Sequence, residues 1–358
     1  MKYDWQLLTS TGICLVMGVL IHYSISPGNL DSHLLYGVIG IGLAMLLSRL
    51  DFYVLRGFSR HIYVIGLVLL LATLALAAVT RGSRRWLDIG FFRFQTSELV
   101  KLLMILTLSQ WLTLIQVNNL KRLIQTMVIV GIPVGLILFQ PDLGTSIIIV
   151  FICMILIFIN GLSWKYIIFF ASLAIILSPA MWLNLKPYQQ DRIHTFLNPS
   201  ADPLGKGYNS IQSQIAVGSG QILGRGLGHG TQSKLRFLPE SNTDFVFASL
   251  AEELGMVGSL ILLLAFAWLI IRLLVLSQKA DSEYEKLVLV GITAMILSQV
   301  VINAGMNMGI LPVTGITLPF VSAGGTSLIV SLMSVGIANG IAKNKKNRPG
   351  IEINGKDK

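Results

Sequence analysis

Apolar residues run along most of this chain in blocks of about 20, the length a helix needs to cross a bilayer. Short polar stretches separate the blocks. They predict ten spans, at roughly 5–25, 33–50, 61–80, 96–116, 122–140, 142–161, 164–184, 246–276, 286–307 and 320–342. Membrane β-strands would alternate in short segments instead, and these blocks do not. The fifth and sixth spans meet at Gln140-Pro141-Asp142, a tight turn marked by proline. One long interruption, 185–245, is rich in Gly, Gln and Ser. The fold class is therefore an all-α polytopic membrane protein, with a single integral membrane domain over 1–342 and the long loop 185–245 between helices 7 and 8. The basic tail 343–358 reads as disordered. No convincing internal repeat is visible.

Composition agrees with this pattern. Of 358 residues 54% are hydrophobic and 12% charged, with mean hydropathy +0.73, which excludes a soluble domain of this length. The net charge of +10 would suit nucleic acid, but the basic residues are scattered through short loops, where membrane topology accounts for them better. Nucleic acid is not an expected partner. Cys14 and Cys153 lie inside apolar runs and read as small buried hydrophobes, without metal or disulfide spacing. His194 and His229 are isolated, so no metal site is assigned. The first apolar run has no A-x-A-like cleavage site and reads as a retained helix.

Ten spans put both termini on one side. The positive-inside rule makes that side cytoplasmic, since it then holds Lys2, Arg49, Arg56, Arg60, Lys121, Arg122, Lys165, Arg272, Lys279, Lys286 and the tail cations. The 185–245 segment faces outward. One loop breaks the rule: Arg81, Arg84, Arg85 and Arg93 fall outside. A fixed anionic partner would offset that cost, and Arg suits phosphate through its planar fork of donors. Contact with anionic lipid headgroups is the plainer reading.

Carboxylates at a membrane border are costly and are functional suspects. The stretch Phe237 to Gly258 carries Glu240, Asp244, Glu252 and Glu253 where the polar loop gives way to an apolar run. Asp244 is the first choice for chemistry; capping the helix that starts near Phe245 is its structural alternative. Glu98 and Lys101 share a helix face at i, i+3 and lower each other's cost by pairing. Asp142 opens the sixth span, where it also looks like an N-cap. Within the long loop, Gln212 to Gly220 reads as a short amphipathic interfacial helix. Gly224, Gly226, Gly228 and Gly230 permit positive φ but lack a phosphate-loop signature. The Pro- and Gly-rich stretch 303–327 cannot make a plain helix, and irregular backbone at that depth is tolerated only within protein or beside a polar cavity. It is expected to form one wall of an outer-leaflet cavity.

These stretches, in this order, resemble the SEDS family (shape, elongation, division and sporulation), membrane glycosyltransferases that polymerise peptidoglycan. The carrying motifs are Arg84-Arg-Trp-Leu-Asp-Ile-Gly, Arg93-Phe-Gln-Thr-Ser-Glu-Leu-Val-Lys101, Gln140-Pro-Asp-Leu-Gly-Thr-Ser146, Leu238-Pro-Glu-Ser-Asn-Thr-Asp244-Phe and Gly309-Ile-Leu-Pro-Val-Thr-Gly-Ile-Thr-Leu-Pro-Phe. Gly218-Ser-Gly-Gln, Gly230-Thr-Gln and the short N-terminus are more similar to the elongation branch, which serves cell shape, than to the division branch. The resemblance implies a ten-helix SEDS fold in the bacterial cytoplasmic membrane. It implies lipid II, a disaccharide-peptide on undecaprenyl pyrophosphate, as substrate. It also implies a class B penicillin-binding protein as partner, among other elongation-complex membrane proteins. The family aspartate falls on Asp244 as general base. Its arginine, glutamate and lysine fall on Arg93, Glu98 and Lys101, its PDLGTS aspartate on Asp142, and its loop tryptophan on Trp86. Arg93 and Lys101, then Arg84 and Arg85, are the cations for the leaving pyrophosphate, with Glu98 and Asp142 expected to hold Lys101. No cofactor is assigned, and assistance by a divalent cation is left open. Two departures touch local geometry: Thr96 stands where Pro is common, and Ser241-Asn242 stand before Thr-Asp where a His usually sits. A flippase for the same lipid and a non-catalytic scaffold are the competing readings; charges at the outer edge, away from mid-membrane, favour surface chemistry over transport.

Overall fold

The apolar blocks become helices whose starts are written in polar residues. The structure is a computed structural model that describes residues 3–50, 52–77, 85–89, 92–117, 119–166, 168–169, 172, 176, 182–183, 185–235 and 237–347. Helix α1 (Trp5–Ile25) begins at Asp4, whose side chain accepts from the Leu7 amide. A Pro at the first position starts α2 (Pro27–Leu47), six residues ahead of the apolar block that predicted it. A short α3 (Phe52–Gly57) leads into α4 (Ser59–Leu76). After α5 (Thr96–Leu114), Asn119 caps α6 (Leu120–Phe139) and Asp142 caps α7 (Leu143–Ile159). The long loop then folds into α8 (Pro187–Leu197), α9 (Tyr208–Ser219) and a single turn, α10 (Thr231–Lys234). The chain ends in α11 (Val246–Gln278), α12 (Glu283–Asn307) and α13 (Gly325–Asn347). The last helix therefore continues past Lys343, where the sequence suggested a disordered tail.

Among the described residues, eight helices are long and apolar enough to cross a membrane, and α7 is a shorter apolar helix. The span expected at 164–184 lies largely outside the described residues. Helices α5, α12 and α13 sit at the centre, with 67%, 83% and 83% of their apolar windows buried, while α2 has 11%. The outer helices turn Val38, Val64 and Val128 outward. In water such faces would be costly; in lipid they are solvated.

The described part of the loop that carries Arg85 and Arg93 is a β-hairpin, with β1 (Trp86–Ile89) antiparallel to β2 (Phe92–Gln95) and Asp88 opposite Arg93. The α9 helix was expected to lie in the membrane interface, yet it packs on α11 and α12. Ser210, Ser213 and Ala216, three residues apart, make a narrow buried face that permits close approach, and Ser213 Oγ donates to the Asn307 carbonyl at 2.9 Å. Helix α11 is broken at Gly255, where φ 66 and ψ −163 suit only glycine. The amides of Met256 and Val257, freed by the break, donate to Gln221 and Ile222 at 2.8 and 3.1 Å. The long loop is thus hydrogen-bonded into the break of the helix that follows it.

Candidate active site

The hairpin delivers its last residue directly into α5, so Gln95, Ser97, Glu98 and Lys101 enter the protein together. Asp142 meets them from the α6–α7 turn. Its Oδ2 accepts from Gln95 Nε2 (3.2 Å), Ser97 Oγ (3.1 Å) and Thr145 Oγ1 (2.9 Å), and its Oδ1 from the Thr145 amide (3.2 Å). Arg85 closes the group: its guanidinium donates to the carbonyls of Gln140 and Pro141 and lies 3.9 Å from Asp142 Oδ1. Asp142 is therefore both an N-cap and the counter-charge of Arg85. The sequence reading gave it to Lys101; the geometry gives it to Arg85.

Lys101 has its partner in Glu98, at 2.8 Å, and the two are 1% and 6% exposed. Glu98 Oε2 is buried with no hydrogen-bond partner. Arg93 sits outside on the hairpin, exposed, and its Nε donates to Asp88 at 2.8 Å. Trp86, partly buried, faces Gln95 across the hairpin. Arg84 lies outside the described residues.

Asp244 is half-buried just ahead of α11. Phe245 occupies the cap position, and Asp244 stands one residue ahead of it. Its carbonyl accepts from Asn303 Nδ2 (2.9 Å) and Asn307 Nδ2 (3.0 Å), both buried on α12. The irregular stretch 308–324 grips the preceding residues: Ser322 Oγ donates to the Thr243 carbonyl (2.7 Å) and the Ala323 amide to that of Asn242 (2.8 Å). That stretch lies directly beside the aspartate. Gly315, at φ 76, lies against the side chain; a Cβ there would stand 3.3 Å from Asp244 Oδ2. Glycine is what lets the carboxylate occupy this spot.

Arg192 was missed in the sequence. It lies on α8, and its Nη1 donates to the Thr314 carbonyl at 3.2 Å, one residue from Gly315. Burial pulls its guanidinium below the ordinary arginine range, with the Arg85 charge adding to the pull, while Tyr188, Asp244 and Asp142 oppose it. Arg85, Asp142 and Asp244 thus all act on Arg192 from segments distant in sequence. The signal that was available is the face Tyr188, Asp191, Arg192 and Thr195, at i, i+3, i+4, i+7 spacing.

Glu252 and Glu253, expected on the polar side of a helix, are fully buried. The Glu252 carboxylate accepts from the Gln232 and Ser233 amides and from the Thr231 and Ser233 hydroxyls. Glu253 Oε1 accepts from the Gly228 amide at 3.2 Å. These two carboxylates hold the glycine-rich loop, in which Gly224, Gly226 and Gly228 have positive φ. Among the described residues no three His, Cys, Asp or Glu side chains gather in a way that could hold a metal ion.

The arrangement offers a carboxylate just ahead of α11 that acts on Arg192, a second guanidinium at Asp142, and a buried Glu98–Lys101 ion pair. Residues 3–347 match the cell cycle protein family FtsW/RodA/SpoVE. The chain is 40% identical over 314 residues to the peptidoglycan glycosyltransferase MrdB of Escherichia coli (strain K12), covering 87% of this chain and 85% of that protein. It is similar in structure to a chain of a peptidoglycan synthase complex that coordinates polymerization and crosslinking, with TM-score 0.85, 31% identity and 97% and 100% of the two chains covered. The rod shape determining protein RodA of Thermus thermophilus is a further structural relative, with TM-score 0.74, 27% identity and 97% and 99% coverage.

Proposed function

The chain belongs to the FtsW/RodA/SpoVE family, and from that membership we propose that it is a peptidoglycan glycosyltransferase of cell elongation that joins lipid II units into glycan strands, with Asp244 as general base. It is a multi-pass membrane protein. Its place is the bacterial cytoplasmic membrane, with both termini inside, the 185–245 loop on the outer face, and 1–342 acting as one integral domain before the 343–358 tail. Its partner is a class B penicillin-binding protein, together with other membrane proteins of the elongation complex.

The reaction joins the 4-hydroxyl of one sugar to C1 of another and expels a lipid pyrophosphate. The hydroxyl must lose its proton as it attacks, and a positioned carboxylate takes it. A donor with an α-linkage and a product with a β-linkage require one inversion, so a single base suffices. The observation that carries this reading is the position of Asp244: outside the cap of α11, held by its backbone on Asn303 and Asn307, and within the field of Arg192. The leaving pyrophosphate gathers negative charge, which fixed cations stabilise best where water is scarce. Arg85 and Arg192 are placed for that. Arg93 and Trp86, with Arg84, receive the substrate, Asp142 holds Arg85, and Glu98 holds Lys101 as its buried ion-pair partner.

The test uses purified protein and labelled lipid II, with and without the penicillin-binding protein. Wild type is expected to give gel-resolved glycan chains. Asp244→Ala is expected to lose about 10²–10⁴ of the rate, the range for a general base, with its melting temperature retained. Wild-type rates from Asp244→Ala, or no chains from either protein with partner and divalent metal present, would overturn the proposal and direct the next assay to lipid translocation.

A further inference from the structure

The outer loop encloses a second feature, which Arg192 helps to line. A cavity of about 230 Å³ lies between α8, α9 and the turn 311–313. Tyr188, Asp191, Arg192 and Thr195 line it from a single face of α8; Asn209 faces them from α9 and Pro312 closes the far side. Its volume falls below the roughly 300–1,000 Å³ of pockets for drug-sized ligands, so it suits a single ring. Its chemistry is mixed. An aromatic and a proline supply apolar faces, while a carboxylate, an amide and a hydroxyl offer both acceptors and donors. Asp191 is paired with Lys206 at 2.7 Å, and Arg192 Nη1 is held on the Thr314 carbonyl, so the remaining donors and acceptors of the lining suit hydroxyl groups. A pyranose has this pattern, an apolar ring face bounded by hydroxyls. Arg192 belongs to both places, and its anchor on Thr314 sets the cavity next to Gly315 and hence to the Asp244 carboxylate.

Resting on the polymerase reading above, we propose that this cavity is the acceptor subsite, which binds the terminal N-acetylhexosamine ring whose 4-hydroxyl Asp244 deprotonates. Inversion demands that acceptor and leaving group lie on opposite sides of the reacting carbon. Arg85 and Asp142 mark the pyrophosphate side, and the acceptor is assigned to the cavity that Arg192 also lines. Arg192 acts here as a positioning residue, with its guanidinium forming the partition between sugar and pyrophosphate.

The experiment measures binding without turnover. The probe is the soluble disaccharide N-acetylglucosaminyl-N-acetylmuramic acid, with neither lipid nor peptide, added to purified full-length protein in nanodiscs and read by saturation-transfer NMR. Transfer to the N-acetylglucosamine ring is expected in wild type. It is expected to fall at least fivefold in Thr195→Trp, which fills the cavity, and in Asn209→Ala, an exposed position whose truncation leaves the fold intact by thermal unfolding. Absence of transfer in wild type, equal transfer in both variants, or binding of the isolated stem peptide in place of the sugar would overturn the subsite. The disaccharide has no leaving group, so the two readings fail separately. A protein that makes no glycan but binds sugar through the cavity sinks the polymerase alone. A protein that makes glycan while its sugar binding ignores the cavity sinks the subsite alone.

Discussion

Two residues carry the finest structural dependence. Gly315 is at φ 76, with its absent Cβ 3.3 Å from Asp244 Oδ2. Alanine there costs about 1–2 kcal/mol of backbone strain and pushes the carboxylate aside. Because displacements near 1 Å can cost about a hundredfold in rate, Gly315→Ala is expected to slow polymerisation at least tenfold while melting only slightly lower. A wild-type rate in the lipid II assay would separate Gly315 from Asp244. Arg192 gives a test of a different kind. Burial and the Arg85 charge both depress its pKa, and a base with a depressed pKa is charged below that value and loses its charge as pH rises through it. Arginine begins so high that it stays charged at working pH, whereas a lysine starts near 10.4. Arg192→Lys in the same surroundings is therefore expected to lose activity on the alkaline side, between about pH 7 and 10, where wild type holds. Superimposable pH profiles would mean that the charge at 192 takes no part. The sequence marked this residue only weakly, through the helical spacing of Tyr188, Asp191, Arg192 and Thr195, a single polar face that names no charge partner until the fold brings Arg85, Asp142 and Asp244 to it.

At the scale of elements, the helices were the legible part. Their apolar runs are as long as a bilayer requires, and no tertiary information is needed to read them. The hairpin was not legible: Trp86–Ile89 and Phe92–Gln95 are four residues each, too short for alternation to stand out, and pairing supplies what propensity does not. The break in α11 was equally hidden, since a single Gly inside an apolar run reads as tolerated. What fixes the loop at that break is Glu252. Its buried carboxylate accepts from two amides and two hydroxyls of residues 231–233. Removing it strands several donors, each worth about 1–3 kcal/mol when buried and unsatisfied. Glu252→Ala is expected to lower stability by about 3 kcal/mol or more and to open the chain between α9 and α11 to protease, with Glu252→Gln milder because one acceptor remains. A variant as stable and as protease-resistant as wild type would show that α10 is held by other contacts. The candidate site itself was half-legible. Motif residues were identified, and the i, i+3 spacing of Glu98 and Lys101 did foretell their pair, but Asp142 meets Arg85, a partner distant in the linear chain, where Lys101 was expected.

At the scale of the molecule, one tie joins first helix to last. Asp4 caps α1, pairs with Arg272 on α11, and donates its amide to Asn339 on α13. This polar knot lies at the end of the bundle opposite the long loop. Arg272 stands there with Lys279, Lys286 and the end of α13. Asp244, the hairpin and the loop helices lie at the other end, and Arg85 and Arg93 violate the charge rule only if that end is outside. Orientation therefore decides whether the arginine cluster is an anomaly balanced by an anionic substrate or an ordinary cytoplasmic loop. Cysteine labelling settles it cleanly, because native Cys14 and Cys153 are 0% and 2% exposed and should stay silent. Leu204→Cys, at a position 89% exposed in the long loop, is expected to react with an impermeant maleimide in intact cells. Gln278→Cys, exposed at the end of α11, is expected to react only after permeabilisation. The reverse pattern would place Asp244 in the cytoplasm and remove the outer-face glycan reaction with it. The expected pattern puts the carboxylate, both arginines and the sugar-sized cavity on the side where a glycan strand must emerge.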